Sequence, residues 1–214
     1  YKTIGFVALE SYSFLVDADS RRYELNHQSK TNYDLFNISN NFGVVTDEVI
    51  FGGVIYLGGL FTGSDVIRIT GRQIFESMTL AGIFSLPMKF IFGRARPYNE
   101  LGSMTFKPFN LHNNFNSMPS GHTVVAFSVA SVLAFKIDTW WSYPLFGTIA
   151  LSTGMARLYF DQHWLSDVVM SAFIGTLSGY AVIKAEKNMN NINKSSGQII
   201  IYPSYNGIGI AYKM

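Results

Sequence analysis

No cysteine occurs among the 214 residues, which excludes disulfides and thiolate metal sites and decides no compartment. Charge is also scarce: Asp, Glu, Lys and Arg together make 14% of the chain, against about a quarter in an ordinary soluble protein. The net charge is only +2 and no Lys/Arg run occurs, so a track for a nucleic-acid backbone is excluded. Uncharged stretches fall short of the roughly 20 residues that a spanning helix wants. Internal repeats are absent, and because the chain opens at Tyr1 the lack of a leader carries no information about targeting.

What is present is apolar. Hydrophobic residues make 48% of the chain and aromatics 15%, and the length suits one well-buried core. Residues 1–45 mix aromatics with Asp, Asn and Ser and read as an irregular N-terminal arm with a short helix near 34–40. From Thr46 the texture changes. Thr46 can cap, Asp47 and Glu48 suit a first turn, and 49–64 is an uncharged helical run. A short connection is expected over 65–70. Further helices are expected from the capping-box spacing at Thr70 to about Phe92 with a kink at Pro87, then over 121–136, 140–158 and 166–187, the last capped by Ser166. Five apolar helices with short connectors describe an all-α bundle over 46–187. Residues 188–214 read as a polar linker followed by a hairpin around Asn206-Gly207, with strands at 199–202 and 208–212.

Short apolar runs argue for a soluble bundle, whereas low charge, abundant Phe and Tyr, and the paired Trp140-Trp141 at a helix start suit interfacial anchoring. The balance favours a membrane-associated protein. One connector, 97–118, is long enough to be a substrate-contacting lid or an ordered surface excursion.

The bundle is organised around Pro119-Ser120-Gly121-His122, a turn that opens a helix. Unpaired N–H groups and the positive dipole end attract anions there. Gly121 allows close backbone approach, the Ser120 hydroxyl can cap or donate, and His122 can exchange a proton near neutral pH. Two other clusters fall at the same end of the bundle. Lys89 and Arg96 close the second helix against Pro97, and Arg157 precedes His163 and Asp167. The four-residue step from His163 to Asp167 is about one helical turn, within reach for a carboxylate to accept an imidazole proton. Taken singly, Lys89 and Arg96 could complement a helix dipole, Arg157 could pair with Asp161 or Asp167, and His163 could be a satisfied buried histidine. Together, three cations and two histidines at one end of an apolar bundle call for an anion, and phosphate is the obvious one. His27 reads as a solvated surface residue, and His112 takes no role.

The order and spacing of Lys89, Arg96-Pro97, then Pro119 to His122, then Arg157, His163 and Asp167 resembles the three-part signature of the type-2 phosphatidic acid phosphatase superfamily. That group also holds bacterial nonspecific acid phosphatases and vanadium haloperoxidases. The resemblance covers about 48–187, and it departs at Ala156, where the family usually has serine. It implies a phosphatase without metal or other cofactor. His163 would attack phosphorus, Asp167 would hold its tautomer, and His122 would protonate the leaving oxygen and then activate water. Lys89, Arg96, Ser120, Gly121 and Arg157 would bind the phosphate oxygens.

The expected substrate is a lipid phosphate or a small phosphate ester, in the bacterial cell envelope, membrane-associated or periplasmic. A soluble broad-specificity acid phosphatase is the second reading and a vanadate-dependent haloperoxidase a distant third. A non-catalytic component of an envelope assembly is the reading from another class, with an envelope protein partner met through the N-terminal arm or the C-terminal hairpin.

Overall fold

A computed structural model describes residues 2–110, 112–194, 199–204 and 207–212. It is all-α apart from a terminal hairpin. The helices are α1 (Lys2–Asn26), α2 (Lys30–Asn41), α3 (Val45–Thr62), α4 (Asp65–Phe92), α5 (Gly121–Ile137), α6 (Ser142–Tyr159) and α7 (Leu165–Lys194).

The expected apolar helices map onto α3 to α7, and the boundaries move for identifiable reasons. Val44, not Thr46, is the residue before the first turn of α3. Residues 65–70 are helical because Thr70 does not cap but returns its hydroxyl to the Val66 carbonyl at 2.7 Å, a bond made inside a helix. Ser166 is likewise inside α7, and its hydroxyl meets Asp17 at 2.7 Å. The asparagine-rich stretch read as a linker extends α7 to Lys194. The largest departure is at the N-terminus. In place of an irregular arm stand α1, 25 residues long, and α2, capped by Ser29, whose side chain accepts from Asn32 N–H at 3.1 Å. α1 packs on α7, with Phe6 stacked on Phe173 at 3.7 Å, and α2 packs on α6.

α5 is the centre of the bundle, in contact with α4, α6 and α7. It is apolar or small all round, so that Val124, Ser128, Val129, Ser131, Val132 and Ala134 are all buried. Helices α3, α4 and the Leu165–Met189 part of α7, at 18, 28 and 25 residues, are long and apolar enough to cross a membrane. Their outer faces expose Val54, Leu57, Phe61, Ile83, Phe84 and Leu86, which suits lipid as the surrounding solvent. The brevity of the uncharged runs was misleading because each helix includes charged or polar residues in its end turns, such as Asp47, Glu48, Asp65 and Lys89.

Strands β1 (Ile199–Ser204) and β2 (Gly207–Tyr212) pair antiparallel, with Ile199 opposite Tyr212 and Ser204 opposite Gly207. Asn206, on which the hairpin expectation rests, lies outside the described residues.

Candidate active site

The site lies where the C-terminal ends of α4 and α6 meet the N-terminal ends of α5 and α7. α4 stops at Gly93, whose φ of 55° is the left-handed conformation that ends helices. The chain then runs through a 3₁₀ turn at Pro97–Asn99 and another at Asn113–Phe115 before Ser120 starts α5. The described residues of the connector 97–118 form these turns and supply polar partners to the site. His112 belongs to it as the cap of the second turn, accepting from Asn114 N–H at 3.4 Å. His27, exposed, contacts the Tyr23 carbonyl at 2.7 Å.

His163 is buried in the connector before α7, with Nδ1 2.7 Å from the Ser117 carbonyl oxygen. Only an N–H can serve a carbonyl, so Nδ1 carries the proton and Nε2 keeps its lone pair. Asp167 Oδ2 stands 3.7 Å from the same Nδ1, beyond hydrogen-bond reach. The partner expected from the four-residue step is thus one bond removed. Asp167 accepts the Ser117 hydroxyl at 2.5 Å and the Trp164 N–H at 2.8 Å, and so fixes the segment whose carbonyl holds His163. Burial first, then the nearby cations Lys89 and Arg96, push the His163 ring from its ordinary 6.5 down to about 3, against the pull of Asp167. At neutral pH the ring is uncharged.

His122 is the second residue of α5, and Arg157, Lys89 and Arg96 all lie within electrostatic reach of it. Its position is fixed by the α2–α3 corner. A Cβ on Gly43 would come within 2.6 Å of the His122 carbonyl oxygen and 2.7 Å of Thr153 Cγ2, so only glycine fits there.

The three cations are held by neutral groups. Lys89 Nζ donates to the Asn116 carbonyl at 2.9 Å and to the Pro119 carbonyl. Arg96 donates to Asn116 Oδ1 at 2.8 Å, the Asn113 carbonyl at 3.1 Å and Gln162 Oε1 at 3.1 Å. Arg157 donates one bond, 2.6 Å long, to Asn40 Oδ1, and its Nε–H is buried with no protein partner. Among the described residues none of the three is ion-paired with a carboxylate, whereas Arg21, Arg68, Arg72 and Arg94 all are. Asp161, one expected partner of Arg157, pairs with Arg21 at 2.7 Å instead.

Ser120 is fully buried, and its hydroxyl accepts from Thr123 Oγ1 at 2.9 Å. It makes no side-chain cap. A Cβ on Gly121 would meet only Lys89 Cε, at 3.9 Å, so the backbone there faces open space beside a cation. Ala156 is fully buried next to Arg157.

Sequence reasoning missed four kinds of support. Ser117 and Asn116 sit in the connector, Asn40 comes from α2, Gln162 precedes His163, and Asp17 on α1 joins Asp167 through Arg94. Arg94 stands two residues before Arg96, which is the one local signal. Asn40 lies 117 positions from Arg157, and Asp17 lies 77 from Arg94 and 149 from Ser166, so no local pattern announces them.

The fold and the site define a class: a helical protein with membrane-length apolar helices and three uncompensated cations gathered near two histidines. Comparison places the chain within it more closely. The PAP2 superfamily matches residues 71–190, and the chain belongs to that superfamily. It is 34% identical over 110 residues to a lipid A 1-phosphatase of Rhizobium johnstonii, covering 49% of this chain and 43% of that protein. A lipid A 1-phosphatase of Porphyromonas gingivalis is 32% identical over 112 residues, 51% of this chain and 21% of that protein. The chain thus matches under half the length of these relatives. The transmembrane PAP2-type phosphatidylglycerolphosphate phosphatase of Bacillus subtilis superposes with a TM-score of 0.69 at 18% identity, covering 88% of this chain and 98% of that one. Aquifex aeolicus LpxE superposes at 0.62 and 20% identity, over 79% and 95%. These two show the fold. The membrane-associated envelope location expected from the sequence agrees with the three spanning-length helices and with the bacterial relatives.

Proposed function

We propose that the protein is a metal-independent phosphatase that hydrolyses the phosphate mono- or diphosphate ester of a membrane lipid through a phosphohistidine. One observation carries this reading: three cations bonded only to neutral partners, one of them with a free buried N–H, lie within electrostatic reach of His122, and two of them, Lys89 and Arg96, within reach of the neutral His163 ring. Burying cations without counter-charge is costly, and a phosphate bound among them offsets that cost with charge-assisted hydrogen bonds.

His163 Nε2 attacks phosphorus as its P–O bond to the leaving group breaks, while Nδ1–H stays on the Ser117 carbonyl. Burial and the three cations push the His122 ring down to about 4 in the free protein. A bound phosphate offsets those cations, so the ring takes up a proton with the substrate, gives it to the departing oxygen, then takes one from the water that attacks the phosphohistidine, which returns His163 to its starting state. Lys89, Arg96, Arg157 and the Gly121 N–H bind the equatorial oxygens, whose charge is the chief target of stabilisation. The Ser120 hydroxyl, already accepting from Thr123, can donate its own proton to the same oxygens.

A lipid substrate is supported by the bundle itself. An apolar groove of about 320 Å³ runs between α3, α5 and α6, lined by Phe42, Phe51, Ala126, Ala130, Leu133 and Phe146, and it begins at the corner that supports His122. The soluble acid-phosphatase reading rested on short apolar runs, and helices of 18, 28 and 25 residues remove that support.

The test is phosphate release from a panel of lipid and water-soluble phosphate esters, in EDTA, by wild type and His163→Ala. Release by wild type alone is the expected result, with acid-labile phosphate trapped on the protein during turnover. Release by both, or dependence on added metal, overturns the mechanism.

A further inference from the structure

We propose that Asp17 of α1 and Arg94 are positioning residues of the catalytic centre, acting through Asp167 and Ser117 to hold His163 as its Nδ1–H tautomer. The proposal rests on the reading of His163 as the nucleophile.

The geometry is a continuous buried chain. Asp17, Arg94 and Asp167 have fully buried side chains. The Arg94 guanidinium bridges the two carboxylates, with one nitrogen 2.6 Å from Asp17 Oδ2 and another 2.6 Å from Asp167 Oδ1. Its remaining N–H groups reach the Ser103 carbonyl at 2.8 and 2.9 Å and the Ser166 hydroxyl at 2.6 Å. Asp17 also accepts the Ser166 N–H at 2.9 Å, which anchors the first turn of α7. Phe14, Phe106 and Trp164 enclose the guanidinium, each ring centre within 6 Å. All three side chains are shielded from solvent, so a change at one end is felt at the other.

Charge explains why the bridge needs both ends. One cation between two anions leaves a net charge of −1, and it faces His163 from the Asp167 side. A single arginine on Asp167 alone would cancel the charge that stabilises the positive ring formed on phosphorylation. Asp17 draws part of the guanidinium's field away, and Asp167 remains an effective anion. Other charged groups near this core are Glu10 on α1, Lys89 on α4 and Arg96 just before the connector. None of these bridges Asp167. Neither Asp17 nor Arg94 is among the residues assigned to phosphate, so their influence falls on the nucleophile.

The test compares wild type with Asp17→Asn, Arg94→Gln and the double variant, purified in detergent. Two readouts are taken: kcat and KM for phosphate release, and ring ¹⁵N spectra of histidine-labelled protein with His163 assigned by its loss in His163→Ala. Each single change removes one charge and is expected to lower kcat about 100-fold through misplacement of the nucleophile. KM stays within about twofold, and the Nδ1–H signature of His163 is lost. The double variant removes one charge of each sign, restores the net −1, and is expected to recover most of kcat and of the signature. Should Arg94→Gln fail to fold, Asp17→Asn and the double variant carry the comparison. Losses that multiply in the double variant, or an unchanged His163 signature in the single variants, overturn the proposal. If wild type releases no phosphate at all, the phosphatase reading fails by itself, and the ¹⁵N spectra still decide whether Asp17 and Arg94 set the tautomer.

Discussion

His163 leans on the main chain of Ser117 at 2.7 Å, and the same serine gives its hydroxyl to Asp167 at 2.5 Å. One residue therefore joins the proposed nucleophile to its supporting carboxylate, and the two contacts come from different parts of it. Ser117→Ala removes the hydroxyl but keeps the carbonyl, so it should cost about 1–3 kcal/mol of stability for the bond lost at a buried carboxylate. Asp167→Ala removes the acceptor of three donors and leaves the Arg94 guanidinium with one carboxylate, which should cost about 3–5 kcal/mol. Denaturant unfolding in detergent measures both. A Ser117→Ala variant as damaged as Asp167→Ala would mean that the hydroxyl matters more than the carbonyl.

Two buried groups should bend the pH dependence of stability in opposite directions. The folded state keeps His163 neutral down to about 3, whereas the unfolded ring takes a proton below 6.5. Between those values the unfolded chain binds more protons, so this group makes stability fall as pH drops. Glu10 is the reverse. Burial raises its carboxyl from 4.5 to about 7, the folded state holds the extra proton between those values, and stability falls as pH rises through them. The thermal midpoint at pH 7 minus that at pH 5 should therefore shrink in His163→Gln and grow in Glu10→Gln. Equal differences in all three proteins would contradict both assignments.

How much of this was legible in the sequence follows from distance along the chain. Lys89, Arg96, the turn at 119–122 and Arg157-His163-Asp167 sit at helix ends, where a break in apolar periodicity makes a charged residue conspicuous. The five apolar helices were legible for the same reason. α1 was not, because its polar residues face inward to the site as well as outward. Asp17, fully buried, looks like any solvated aspartate until Arg94 and Ser166 are placed against it. The His163–Asp167 step correctly placed the two within one turn, but helical spacing does not fix which oxygen takes the ring N–H. The connector's carbonyl reached it first.

Arg157 offers a direct test of phosphate binding. Its Nε–H is buried without a protein partner, and its other arm is fixed by Asn40. Arg157→Lys keeps the charge and loses the fork, so kcat/KM should fall about 10- to 100-fold, the worth of one charge-assisted hydrogen bond of about 1.5–3 kcal/mol. Asn40→Ala should cost less, since the arginine keeps its charge and burial. A lysine variant with wild-type kcat/KM would remove Arg157 from the proposed phosphate site.

The groove beside α5 separates a lipid phosphatase from one indifferent to the leaving group. Ala130 is buried, lies on α5, the helix whose first turn carries His122, and lines the groove with Phe146 and Leu133. Ala130→Leu adds three carbons to that space and should displace about three methylenes of a bound chain, each worth about 0.8 kcal/mol. KM for a long-chain lipid phosphate should then rise about 10- to 50-fold, because lost uniform binding appears in KM. Phosphate release from a short water-soluble ester, which places nothing in the groove, should stay within about twofold. The ratio of the two substrates, measured on one preparation, cancels any loss of folded protein. Equal losses on both would make the groove ordinary helix packing, and the lipid would then have to be recognised elsewhere on the bundle.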